Sequence, residues 1–195
     1  MRIIAGSKRG MTLFSPKTYS SRPVTDRVKQ SIFNILRSYD LPGDAFVADL
    51  FCGVGSFGLE AISNGAQFVT FIDSDPKVLS VLGKNIEKAG FASQSKVIRA
   101  DALRVGAIVD SHCPLYDLVF VDPPYAMTRD VGERSQLAEL MNTLAGQVGP
   151  NGIVILRTQQ RTPVLDVYGN FAVVDRRRWG TIAVTFLAGP GISVV

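Results

Sequence analysis

A doubly wound α/β sheet, mostly parallel, is the fold class this sequence predicts, and three observations predict it. From residue 45 onward, segments of strand character alternate with segments of helical period. A glycine-rich loop, Gly53-Val54-Gly55-Ser56-Phe57-Gly58, lies between the first such strand and the helix after it. Past residue 156 the helical period disappears and two strand-like segments close on a turn, which implies an antiparallel finish.

The elements follow in order. Residues 2–5 and 11–14 read as short strands around Gly6-Ser7-Lys8-Arg9-Gly10, a β-hairpin. Thr25 can cap a helix that runs to about Tyr39, with Val28, Ile32, Ile35 and Leu36 on one face. Pro42-Gly43 ends this first segment. We therefore expect a basic hairpin-and-helix extension over 1–40, packed on a core over 41–195. In the core, residues 45–50 form the first strand, and a helix after the glycine loop closes at Asn64-Gly65. Residues 68–72 form the second strand. Asp75-Pro76 supplies an N-cap with proline at the first helical position, and Gly90 closes that helix. Residues 95–99 are the third strand, and Asp101 begins a short helix or turn. Residues 116–121 are the fourth strand, 137–144 a helix and 152–156 the fifth strand. Residues 172–178 and 181–187 pair antiparallel across Trp179-Gly180.

Length and composition narrow the class. A chain of 195 residues suits one domain with a full core. Hydrophobic residues make up 46% and charged residues 19%, the balance of a globular rather than disordered chain. No apolar run approaches the ~18 residues that span a bilayer, and the N-terminus turns polar too soon for a signal peptide. Cys52 and Cys113 give no disulfide framework and no zinc spacing, so no metal site is expected. A soluble, cytoplasmic monomer is the expectation. Charge is uneven. Residues 1–37 carry eight basic side chains against one acid, Asp26, a net +7, which leaves −3 on the rest of a chain of net +4. A basic end on a mildly acidic body suits a polyanionic partner, though a solvated basic face would look the same.

The stretch richest in chemistry is Leu118-Val119-Phe120-Val121-Asp122-Pro123-Pro124-Tyr125. Four apolar residues suit a strand covered on both faces. Two prolines then stop the ladder, because neither has an N–H to donate. Asp122 precedes a proline and is pushed toward an extended conformation, which holds its carboxylate at the carboxyl end of the strand, where open α/β sheets bind ligands. The chemistry such a turn suits is methylation of an exocyclic amine on a nucleobase. That nitrogen is a poor nucleophile because its lone pair is delocalised into the ring. Acceptors for its N–H groups, here the Asp122 carboxylate and the Pro123 carbonyl, favour rehybridisation in the transition state. Tyr125 can stack on the base, which is worth roughly 1–3 kcal/mol.

The glycine loop supplies the cofactor side. Gly53 makes the tight turn, Gly55 lets a ligand approach the backbone, and Gly58 lets helix and strand pack. Phe51 leads into the loop. Asp73 ends the next strand, where an acid can take both ribose hydroxyls. These features alone also fit an NAD enzyme. S-adenosylmethionine is favoured by Asp49, an acid before the loop that suits an ammonium group and would repel a pyrophosphate. It is favoured also by Asp101-Ala102, where an acid can accept from the adenine amine, and by Asp-Pro-Pro-Tyr itself. Each acid could instead be a helix N-cap, and for Asp101 the two readings weigh equally.

At this point the chain resembles a known family, the bacterial 16S ribosomal RNA guanine-N2 methyltransferases (RsmD-like), within the class I S-adenosylmethionine-dependent methyltransferases. The resemblance rests on Met1-Arg2-Ile3-Ile4-Ala5-Gly6, Arg22-Pro23-Val24-Thr25-Asp26-Arg27-Val28, the Asp49 to Ala61 segment, Phe71-Ile72-Asp73 and Asp122-Pro123-Pro124-Tyr125. It implies a Rossmann-like sheet of seven strands with one antiparallel, a small N-terminal hairpin, and action on a guanine of 16S rRNA, free or in a partly assembled small subunit. The expected catalytic residues are Asp122, Pro123, Pro124 and Tyr125. Arg2, Lys8, Arg9, Arg22, Thr25, Asp26 and Arg27 are the expected RNA contacts. The chain departs from the family near the end of the fifth strand, where relatives carry an acid and this sequence has Leu156-Arg157-Thr158.

Other residues weigh less. Cys52 could be a nucleophile, but amine methylation needs no covalent step and a small loop packer explains it. His112 and Cys113 read as incidental loop residues. Arg176-Arg177-Arg178 either contacts phosphate or is a charged strand end. Competing functions are an adenine-N6 methyltransferase using the same turn, an NAD-dependent oxidoreductase using only the glycine loop and Asp73, and a non-catalytic RNA-binding protein.

Overall fold

The computed structural model describes residues 1–16, 24–111 and 115–192. Its strands are β1 (Phe46–Leu50), β2 (Phe68–Asp73), β3 (Ser95–Arg99), β4 (Tyr116–Val121), β5 (Val148–Gln159), β6 (Val167–Tyr168), β7 (Phe171–Trp179) and β8 (Ile182–Ala188). They form one sheet in the order β3-β2-β1-β4-β5-β8-β7-β6. The first five run parallel, and β8 enters antiparallel against β5. The helices are α1 (Asp26–Leu36), α2 (Ser56–Ser63), α3 (Pro76–Ala89), α4 (Ala102–Val105) and α5 (Gln136–Leu144).

Side chains alternate across the strands, so each face meets its own layer. Val47, Phe71, Leu118, Phe120, Ile153 and Ile155 pack with Val28, Ile32 and Leu36 of α1, Phe57 and Ile62 of α2, and Leu82 and Ile86 of α3. Ala48, Leu50, Ile72, Val119, Val121, Val154 and Leu156 pack with Leu137, Leu140, Met141 and Leu144 of α5. Local signals set the helix ends. Thr25 Oγ1 accepts from the Val28 N–H, Asp75 caps α3 with Pro76 at its first position, and left-handed Gly90 ends it. Among the described residues, no helix is long and apolar enough to cross a membrane.

The structure differs from the expectation in three places. Among the described residues there are eight strands rather than seven, because the two-residue β6 adds an antiparallel edge to β7; so short a segment leaves no periodicity to read. β5 runs on through Arg157, Thr158 and Gln159 because its backbone keeps pairing with β8 after the apolar run has ended. The N-terminal hairpin forms but is shorter than two strands, with the antiparallel bridge Arg2↔Thr12 and a 3-10 turn over Gly6–Lys8. Its arms pair through backbone, Ile3 N–H donating to the Met11 carbonyl and Gly10 N–H to the Ile3 carbonyl at 2.9 Å each and Leu13 N–H to the Met1 carbonyl at 3.0 Å, and the core satisfies the groups left over. The Ile4 and Ala5 N–H groups donate to the Glu60 carboxylate at 2.8 Å each, and Ser63 Oγ donates to the Ala5 carbonyl at 2.6 Å. A Cβ on Gly6 would fall 1.6 Å from the Ser63 carbonyl oxygen, so only glycine permits this approach.

Candidate active site

The carboxyl ends of β1 to β5 open into a cleft of about 870 Å³. Phe51, Asp73, Lys77, Val78, Asp101, Ala102 and the whole of Asp122-Pro123-Pro124-Tyr125 line it, together with Pro16, Met127, Arg157 and Gln159. The sheet therefore assembles at one edge what the chain scatters over more than a hundred residues, as a doubly wound fold requires.

The cofactor side is held by backbone donors. Asp73 Oδ2 accepts from the Gly53 N–H and its Oδ1 from the Asp75 N–H, each at 2.9 Å. Each oxygen keeps a lone pair for a further donor. Asp101 Oδ1 accepts from the Leu103 N–H at 3.1 Å, so it is the N-cap of α4 as well as part of the cleft wall. Phe51 is held at φ 56°, a left-handed conformation that is strained for a bulky residue.

The glycines serve both backbone conformation and packing, with Gly53 and Gly55 at positive φ. Gly55 lies at φ 86°, and a Cβ there would come 2.4 Å from Leu82 Cδ1 of α3. Its left-handed backbone favours glycine, and a side chain there would also meet the neighbouring helix. A Cβ on Gly58 would come 2.3 Å from Phe71 Cε1, the expected helix-to-strand packing. Asp49 differs from expectation. It is 1% exposed and does not line the cleft; its Oδ2 accepts from the Gly58 N–H at 2.8 Å. Burial raises its pKa well above the ordinary carboxylate value, a push that the Gly58 hydrogen bond only partly opposes. Cys52 is likewise buried, and its thiol is pushed up by burial and by the nearby Asp49 and Asp73, which suits a packer and not a nucleophile.

On the opposite wall, Asp122 Oδ1 accepts from Arg157 Nε at 2.5 Å. Burial raises the Asp122 pKa while Arg157 pulls it down. The Tyr125 ring is half-buried, and its hydroxyl is buried with no partner among the described residues. Arg157 is a site residue to which the sequence assigns no role, naming it only where an acid was expected. The Val121↔Leu156 register makes it the next rung beside Asp122.

Among the described residues, the expected RNA contacts do not line the cleft. Arg9 and Arg27 are exposed, and Lys8 reaches over the Phe91 ring at 5.9 Å. Arg2 pairs with Asp26 at 2.7 Å on the surface, and Thr25 serves as the α1 cap. Arg22, His112 and Cys113 lie outside the described residues. Arg176 ties down the 164–166 loop through Asp166 and two carbonyls, and Arg177 pairs with Asp175.

Strand order, helices on both faces and a cleft at the strand ends define a Rossmann-like fold of the class I methyltransferase kind. The family model described as Conserved hypothetical protein 95 matches residues 1–188. Ribosomal RNA small subunit methyltransferase D of Haemophilus influenzae is 33% identical over 166 residues, covering 85% of this chain and 82% of that protein. The protein of the same name from Escherichia coli K12 is 32% identical over 187 residues, covering 94% and 87%. The solved structure of yhhF from Escherichia coli matches with a TM-score of 0.76 at 27% identity, over 97% of this chain and 98% of that one. The chain belongs to this methyltransferase family.

Proposed function

We propose that this protein transfers a methyl group from S-adenosylmethionine to the exocyclic N2 amine of a guanine in 16S rRNA, in the cytoplasm. The observation that carries this reading is the Asp122 carboxylate, held on the cleft wall beside Tyr125 at the carboxyl end of β4. The cleft fits the cofactor. Asp73 has lone pairs to offer two ribose hydroxyls, Asp101 can accept from an adenine amine, and Phe51, Val78 and Ala102 supply apolar wall. When bound, S-adenosylmethionine supplies an electrophilic methyl group whose bonding electrons leave with sulfur.

The chain's own residues do the rest. The target guanine leaves its stack and lies against Tyr125. The Asp122 carboxylate accepts one N2 hydrogen, aligns the nitrogen lone pair with the methyl carbon and stabilises the positive charge that develops as the N–C bond forms. The alkylated nitrogen, now acidic, then gives its proton to water or to the Asp122 carboxylate, so Asp122 need not be a strong base beforehand. The exposed basic residues Arg2, Lys8, Arg9 and Arg27 of the extension engage phosphate. That the relatives carry the name small subunit methyltransferase supports rRNA as substrate. The test is single-turnover methylation of small-subunit rRNA by Asp122→Ala. The rate should fall by about 10²–10³, the range for loss of one transition-state acceptor, with S-adenosylmethionine affinity retained. A wild-type rate in folded, cofactor-bound variant would refute the role of this turn.

A further inference from the structure

We propose that Arg157 is a positioning residue that holds Asp122 in its ionised, substrate-facing state. The proposal rests on the reading of Asp122 as the amine acceptor. Parallel pairing of Val121 with Leu156 sets the two residues side by side at the strand ends. Both belong to the cleft wall, with side chains 16% and 8% exposed. The Arg157 Nε–H is directed to Oδ1, and Asp122 Oδ2 has no partner among the described residues, so one oxygen is fixed by the pair while the other remains for a substrate N–H. A carboxyl so enclosed would otherwise favour its neutral form, which cannot take a second N–H in the same way.

The charges around Asp122 make this cation decisive. From β1 the buried Asp49 faces it, and the Asp122 charge is one of the causes that raise the Asp49 pKa. The remaining cleft wall brings Asp73, Asp75 and Asp101 from the ends of β2 and β3, with Lys77 of α3 as a cation and Tyr125 on its own turn. Arg157 is the partner in contact with the carboxylate, and it opposes the upward push of burial.

The test reads Asp122 directly. In cofactor-free protein labelled with ¹³C at aspartate carboxyls, Asp122 should titrate about one to three pH units higher in Arg157→Gln than in wild type, the range for loss of an adjacent opposite charge. The acid limb of the single-turnover pH profile should move up with it. The rate at pH 7 should fall tenfold or more and recover as pH rises, with cofactor affinity unchanged. Arg157→Lys should restore the position of the limb. If Arg157→Gln does not fold, Arg157→Met fills the same space without the charge and carries the same expectation. An Asp122 titration that stays at the wild-type pH overturns the proposal, as does a rate loss equal at every pH. A wild-type rate in Asp122→Ala would refute the function reading instead, and the carboxyl titration would still decide whether Arg157 sets the state of Asp122.

Discussion

Lys29 Nζ lies 2.9 Å from Glu60 Oε2, and both side chains are 1% exposed. The pair joins α1 of the N-terminal extension to α2 of the core. Lys29 also donates to the Arg2 carbonyl at 2.7 Å, while Glu60 receives the Ile4 and Ala5 N–H groups. The basic extension is thereby fastened to the helix that carries the glycine loop, with Ile3 and Leu13 buried in the same core layer.

Lys29→Met should therefore destabilise the fold by about 3–5 kcal/mol, because it leaves Glu60 buried without its cation. Hydrogen exchange at the Ile4 and Ala5 amides should accelerate more than in β4. Denaturant unfolding within about 1 kcal/mol of wild type would show that Glu60 is satisfied by the backbone donors alone.

Asp73→Ala should weaken S-adenosylmethionine binding by about one to two powers of ten, through loss of charge-assisted hydrogen bonds worth roughly 1.5–3 kcal/mol. It also frees the Gly53 and Asp75 N–H groups. A modest fall in melting temperature should accompany the lost affinity. Calorimetry that finds the affinity unchanged in folded protein would remove Asp73 from the site.

Asp49→Asn separates loop support from cofactor contact. A carboxyl whose folded pKa lies above its unfolded value binds its proton more tightly when folded. Its contribution to stability is full below the unfolded pKa, near 4, and is lost as pH rises through the folded pKa. Asparagine keeps an oxygen for the Gly58 N–H and does not titrate. The variant's melting temperature should exceed wild type by more at pH 8 than at pH 4.5, with cofactor affinity preserved. Lost affinity with no change in the pH dependence would instead place Asp49 against the cofactor's ammonium group.

Replacing Lys8 and Arg9 with alanine should weaken RNA binding and flatten its salt dependence, by about 0.7–0.9 in log–log slope for each phosphate no longer neutralised. Cofactor affinity should not change, since neither residue lines the cleft. Equal slopes for variant and wild type would take these side chains off the RNA.

The sequence alone determined what depends on neighbours along the chain. Strand and helix periods, the Thr25 and Asp75 caps and the Gly90 stop are local, and all appear close to where the sequence places them. The same holds for Asp73, Asp101 and Asp122: each ends or follows a strand, and parallel strands bring their carboxyl ends to one edge. Only the tertiary structure decided which partner each buried polar group takes. Asp122 and Arg157 stand 35 residues apart and meet because β4 and β5 pair in one register. Gly55 sits at a positive φ against Leu82 of α3, and Glu60 fastens the N-terminal hairpin to α2 by taking the Ile4 and Ala5 N–H groups. Propensity and period act over a few residues. The choice of a buried charge's partner is made through space, where leaving it unpaired costs several kcal/mol.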